Sequence, residues 1–144
     1  MSKLSIKHLN IAIAEYVRGF TSREYTLPIW QRQDCWGKTN FRKILIESIM
    51  MGIDLPKIYI GEIESLGKVI IDGGHRTRAI TAYLNNEYYI SVDGNTVYYS
   101  KCPKTTRDMR IMDEKEKEYL DNYKITVCLY DDVTESMARK IFNK

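Results

Sequence analysis

Metal-binding and cross-linking side chains are scarce in this chain: two histidines and three cysteines in 144 residues. Cys35, Cys102 and Cys128 are odd in number, lie far apart and match no metal-ligand spacing, so they read as reduced thiols rather than as a disulfide framework or a zinc site. No apolar run approaches the roughly 20 residues that a membrane helix needs. The first ten residues, MSKLSIKHLN, lack the unbroken apolar core of a signal peptide. A cytoplasmic protein with no membrane partner is the expectation. Internal repeats, low-complexity tracts and evident linkers are also missing. Strong charge of one sign is absent too. The net charge of +3 permits contact with nucleic acid but does not argue for it. Lys101, Lys104, Arg107 and Arg110 come nearest to a basic stripe, but DEKEKE follows at 113–118, and the alternation reads as a solvated loop entering a charged helix.

What is present is a globular composition, 44% hydrophobic and 28% charged, in a length that suits one domain with a continuous core. Leu4, His8, Ile11, Ala12 and Tyr16 fall near helical spacing, which predicts a helix over 4–18, a helical arm (residues 1–22) ahead of a main domain (23–144). Thr21–Pro28 reads as extended, because Leu27 precedes a proline. Asn40–Met51 reads as an amphipathic helix with Phe41, Ile44, Leu45, Ser48 and Ile49 on one face and Gly52 as its stop. Strands are expected at Lys57–Glu62 and Lys68–Ile71. A hairpin is expected where Tyr88–Val92 and Thr96–Tyr99 flank Asp93-Gly94. A charged helix at 112–121, a strand at Lys124–Tyr130 and a helix at Val133–Phe142 complete the order. That order predicts an α+β fold, a small mixed sheet with packed helices. The last helix runs almost to Lys144, which suggests a domain of a longer protein.

The densest chemical signal is IDGGHRTRAI, Ile71–Ile80. An apolar strand breaks at Asp72-Gly73-Gly74, and a helix follows in which Ala79, Ile80, Tyr83 and Leu84 recur at helical spacing. Free N–H groups at a helix N-terminus point at an anion, the macrodipole favours negative charge, and glycine lets the backbone approach closely. Arg76 and Arg78 lie in the first turn, against the dipole, which suggests a counter-anion. His75 sits in the same turn. The plainer alternative is Asp72 as N-cap, Gly73-Gly74 as a tight turn and solvated arginines.

A second polar constellation, Trp30-Gln31-Arg32 with Trp36, offers stacking surface, an amide and a guanidinium fork that suit a base or a phosphate. The tryptophans could equally plug the side of the core. A pocket shared with the Asp72–Arg76 turn would explain why one loop is both polar and aromatic, so Gln31 and Arg32 are expected beside that turn.

Taken in order, Pro28-x-x-Gln31-Arg32-x-x-x-Trp36, Leu45-Ile46-Glu47-Ser48-Ile49 with Gly52 and Pro56, Asp72-Gly73-x-x-Arg76, and Ala138-Arg139-x-Ile141-Phe142 resemble the N-terminal domain of GmrSD-type modification-dependent restriction systems, within the ParB/sulfiredoxin superfamily. Gly73–Ala79 is also similar to the phosphate-binding motif of ParB proteins. The resemblance implies a ParB-like fold and a nucleoside triphosphate as ligand. Gln31, Arg32, Gly73, Gly74, Arg76, Thr77 and Arg78 would serve as phosphate-binding residues. Asp72 would anchor the turn or assist a metal, and His75 would act as acid/base or as donor to a phosphate oxygen. Hydrolysis would call for magnesium; no resident metal site is implied. Gly74 and His75 stand where the restriction family usually has two glutamines, which favours binding over hydrolysis. DNA, a downstream nuclease domain or partner protein, and an oligomer are the further partners this implies. Two other readings compete: a ParB-like DNA-binding or nuclease module, and a non-catalytic interaction domain with a vestigial pocket.

Overall fold

The structure, a computed structural model, describes residues 4–28, 40–104 and 106–142. It is α+β, with two small sheets where the sequence led us to expect one. The chain forms two compact units that interleave in sequence. The first takes Met1–Asp34, Pro56–Gly74 and Lys124–Lys144; the second takes Cys35–Leu55 and His75–Tyr123.

In the first unit, β1 (Ser5–Ala12), β2 (Ile58–Ile63), β3 (Gly67–Asp72) and β7 (Lys124–Asp131) form a mixed sheet in the order β1-β7-β2-β3. The helix expected over 4–18 is therefore half right. Only Ile13–Thr21 is helical (α1), burying Ile13, Tyr16 and Val17. Ser5–Ala12 is a strand because β7 supplies an antiparallel partner for all eight of its residues, from Ser5 opposite Asp131 to Ala12 opposite Lys124. Tertiary pairing decides between two periods that a short segment satisfies about equally. β7 is central and runs parallel to β2, Ile58 lying opposite Val127. On one sheet face, Ile63, Val69, Ile71 and Tyr130 pack with Val133 and with Ala138 of α5 (Glu135–Phe142). Alternation places Ile58, Ile60, Ile70, Ile125 and Val127 on the other face, also buried.

The second unit holds α3 (Gly74–Leu84) and a sheet of β4 (Ile90–Val92), β5 (Asn95–Tyr98) and β6 (Met109–Ile111), and tyrosines tie its elements together. Tyr83 donates to the Val97 carbonyl at 3.0 Å, and Tyr88 to the Ala79 carbonyl at 2.6 Å. Burial pushes the hydroxyls of both up, well above the ordinary tyrosine value. The expected hairpin is present as β4 and β5, and β6 joins it in parallel from a stretch the sequence reads as loop. α2 (Phe41–Met50) buries Leu45, Ile46 and Ile49, but leaves Phe41 and Ile44, expected on its buried face, more than half exposed. The buried stripe is rotated by about one residue. Among the described residues no helix is long and apolar enough to cross a membrane.

α4 (Glu114–Asn122) opens with a reciprocal cap. Asp113 accepts from the Glu116 N–H at 2.8 Å, and Glu116 accepts from the Asp113 N–H at 2.9 Å. Arg110 forks onto the same carboxylate at 2.7 and 3.1 Å. That fork, more than the cap, holds the Glu116 carboxyl below its ordinary 4.5. Glu116→Ala is expected to cost about 1–2 kcal/mol near neutral pH. A depressed carboxyl stabilises the fold above its unfolded value and ceases to do so as pH falls through the folded one. Denaturation of both proteins across pH 2.5–7 should therefore show, roughly, a difference that shrinks below pH 4.5.

Candidate functional site

The β3–α3 turn is shaped by backbone geometry before side chains enter. Tyr59 lies opposite Asp72, yet Ile60 lies opposite Ile70, so Ile71 is the extra residue of a β-bulge. A bulge re-aims the residue that follows it. Here it moves Asp72 from the face that Ile70 occupies to the face of Tyr59. Asp72 is exposed at the strand end. Gly73 follows with φ at +107°, a conformation that essentially only glycine adopts, and α3 begins at Gly74. Both glycines are buried. Gly73→Ala is expected to cost about 1–3 kcal/mol through strain alone. A lowered thermal midpoint with an unchanged far-UV spectrum would register that; an unchanged midpoint would mean that the turn accepts another geometry.

The first turn of α3 carries no acidic residue. Its side chains divide by helical geometry, at 100° per residue. Arg76 lies in line with Ile80 and Tyr83, both fully buried, and is itself half-buried. Arg78 shares the opposite, outward side with His75 at the i, i+3 spacing; both are half-buried, and the His75 Nδ1 atom is shielded from solvent. Thr77 is fully buried. The two arginines, adjacent in the motif, thus leave the helix in different directions. Sequence reasoning missed the bulge at Ile71; the β-branched pair Ile70-Ile71 gives no sign of it.

Gln31 and Arg32, with Trp30 and Trp36, lie outside the described residues. The segment that leads to them is described. The Thr26 N–H donates to the Lys68 carbonyl at 3.0 Å and the Ile70 N–H to the Thr26 carbonyl at 2.8 Å. These bonds make a parallel bridge between Thr26 and Val69. The chain therefore meets β3 in the same direction at Thr26, but the extended course expected for Thr21–Pro28 fails over its first half: Thr21 ends α1 and residues 22–25 turn, with Arg23 at φ 67°.

Residues 13–144 match the family described as GmrSD restriction endonuclease, N-terminal domain. The chain belongs to this family. A GmrSD N-terminal domain is a module of a restriction system, and the match covers both the bulged β3–α3 turn and the segment paired with β3. No curated protein and no solved structure matched the chain. Among the described residues no cluster of three or more His, Cys, Asp or Glu side chains is arranged to hold a metal ion.

Proposed function

We propose that this GmrSD N-terminal domain binds the phosphates of a nucleoside triphosphate, in the manner of ParB-like proteins, at the β3–α3 turn. The observation that carries the reading is the turn itself: buried glycines, one of them at φ +107°, opening a helix whose first turn bears two arginines and no carboxylate. N–H groups at a helix start point toward a bound anion, and this reading sets those of Gly74, His75 and Arg76 on the phosphates. Arg76, on the buried side of the helix, is the phosphate fork. Arg78 and His75, on the outward side, meet a different part of the ligand, with His75 as donor. Thr77 contributes through its backbone, since its side chain is buried. Gln31 and Arg32 would form the opposite wall, as their motif implies; Thr26, five residues before Gln31 in sequence, is bridged to Val69 of β3.

Hydrolysis is the further step of the same reading. Mg²⁺ is usually held by one or two carboxylates together with substrate phosphates. Asp72, the carboxylate of this turn, would supply one ligand and the triphosphate the others. Phosphoryl transfer needs mainly positioning and charge stabilisation, which the turn and Arg76 provide. The test is thermal: the melting temperature measured with each of several nucleoside triphosphates and with magnesium. Stabilisation that grows with triphosphate concentration is expected. No shift with any of them would leave the interaction-domain reading in its place.

A further inference from the structure

We propose that the outward face of the second unit's sheet binds single-stranded nucleic acid, its bases stacking on Tyr98 and Tyr89 and its phosphates meeting the β5–β6 loop. The two faces of this sheet differ. Ile90 and Val97, paired across β4 and β5, are fully buried, and Tyr83 bonds to Val97 from that side. Alternation turns Ser91, Thr96, Tyr98, Met109 and Ile111 the other way, where each is exposed or half-buried. Tyr89 joins them, its ring 5.8 Å from that of Tyr98. The Lys43 ammonium from α2 sits 3.6 Å from the centre of the Tyr89 ring. Lys43 covers one face of Tyr89, so the platform is Tyr98 together with the face of Tyr89 that Lys43 leaves; it suits bases whose faces are free, and duplex bases do not offer theirs.

The charge beside this platform has the complementary sign. Lys101, Lys104 and Arg107 are exposed, form no ion pair among the described residues, and have no acidic residue between them in sequence. Arg110, the fourth cation of the stretch, is occupied by Glu116. The start of the loop, at Ser100 and Lys101, is anchored. Asn86, in a left-handed conformation at φ 60°, accepts from the N–H groups of Ser100 and Lys101 at 2.7 and 2.9 Å. That anchoring sets Lys101 beside Tyr98 on an open recess of about 390 Å³. Glu87 also lines the recess and Asp108 closes the loop; both oppose a phosphate, and Glu47 already accepts from the Ser91 N–H. A protein partner fits less well, because lysine is depleted in such interfaces.

Fluorescence anisotropy with labelled oligothymidylate, oligouridylate and a DNA duplex tests this on the whole chain. The single strands should bind in preference to the duplex, and the better of the two names the sugar. Tyr98→Ala should weaken binding roughly five- to hundredfold, and Tyr98→Phe should keep it. Replacing Lys101 and Arg107 together by alanine should lower the slope of log affinity against log salt by about 0.7 for each phosphate that is no longer neutralised. These exposed positions carry the test if Tyr98→Ala fails to fold. Tyr98→Ala should leave stabilisation by triphosphate unchanged, which separates this face from the β3–α3 turn. Absent binding at low salt, preference for duplex, or affinity indifferent to Tyr98 and to the loop cations would overturn the proposal. So would self-association of the chain that depends on Tyr98.

Discussion

A chain that begins at Ile13, where the family match starts, is expected to be recovered mostly as aggregate. It would lack β1, which pairs with β7 along eight residues of each strand. Without it β7 becomes an edge strand, with Ile125, Val127, Cys128 and Tyr130 buried in the intact protein. A long apolar edge is a template for pairing with other chains. The hydrogen bond between Thr126 and Asn10 would disappear too. Removing this pairing consumes a large share of the roughly 5–15 kcal/mol that stabilises a domain of ordinary size. Soluble yield and size-exclusion profile of the shortened and full chains decide the matter. A shortened chain that is monomeric and melts with the full chain would show β1 to be an appendage. A polar replacement of Ile6 and Leu9, which are 44% and 40% exposed, should by contrast be tolerated.

The second large effect concerns Arg76. Arg76→Ala should weaken triphosphate binding about ten- to a hundredfold, the equivalent of one charge-assisted hydrogen bond at roughly 1.5–3 kcal/mol. Arg76→Lys should fall between, because an ammonium keeps the charge and loses the fork. Arg78→Ala, on the outward side of α3, should cost less than Arg76→Ala, since the helix points the two side chains apart. Calorimetric titration of the three variants separates these outcomes. Equal affinities for wild type and Arg76→Ala would remove Arg76 from the site.

The candidate turn was legible in the sequence because its parts are contiguous. A β-branched strand, two glycines and an apolar period of helical spacing specify strand, turn and helix within fifteen or so residues, and local physics suffices. Besides the bulge at Ile71, three features were not legible, and each of them depends on a distant partner. Residues 5–12 carry apolar side chains at spacings that fit a helix or a strand, and β7, more than a hundred residues away, decides. Met109–Ile111 is too short to announce itself and becomes a strand by lying beside Thr96–Tyr98. Phe41 and Ile44 fit the apolar face of α2 by period, but the helix is rotated to bury Ile46 instead. The direction of Arg76 is an intermediate case: the spacing of Ile80 and Tyr83 implied it, given attention to angle as well as to composition.

The interleaving of the two units has a consequence for the order in which they form during synthesis. Every segment of the second unit has been made once residue 123 is joined, so it is complete while the first still lacks its central strand. β1 has no partner until β7 appears about 120 residues later. At roughly 5–20 residues per second that wait is of the order of 6–24 s. During it Ile6, Leu9 and Ile11 belong to an unpaired segment, the interval in which a chaperone that recognises short apolar stretches has its opportunity. The isoleucines and leucine of β1 are thus open to the quality-control machinery before they contribute anything to stability.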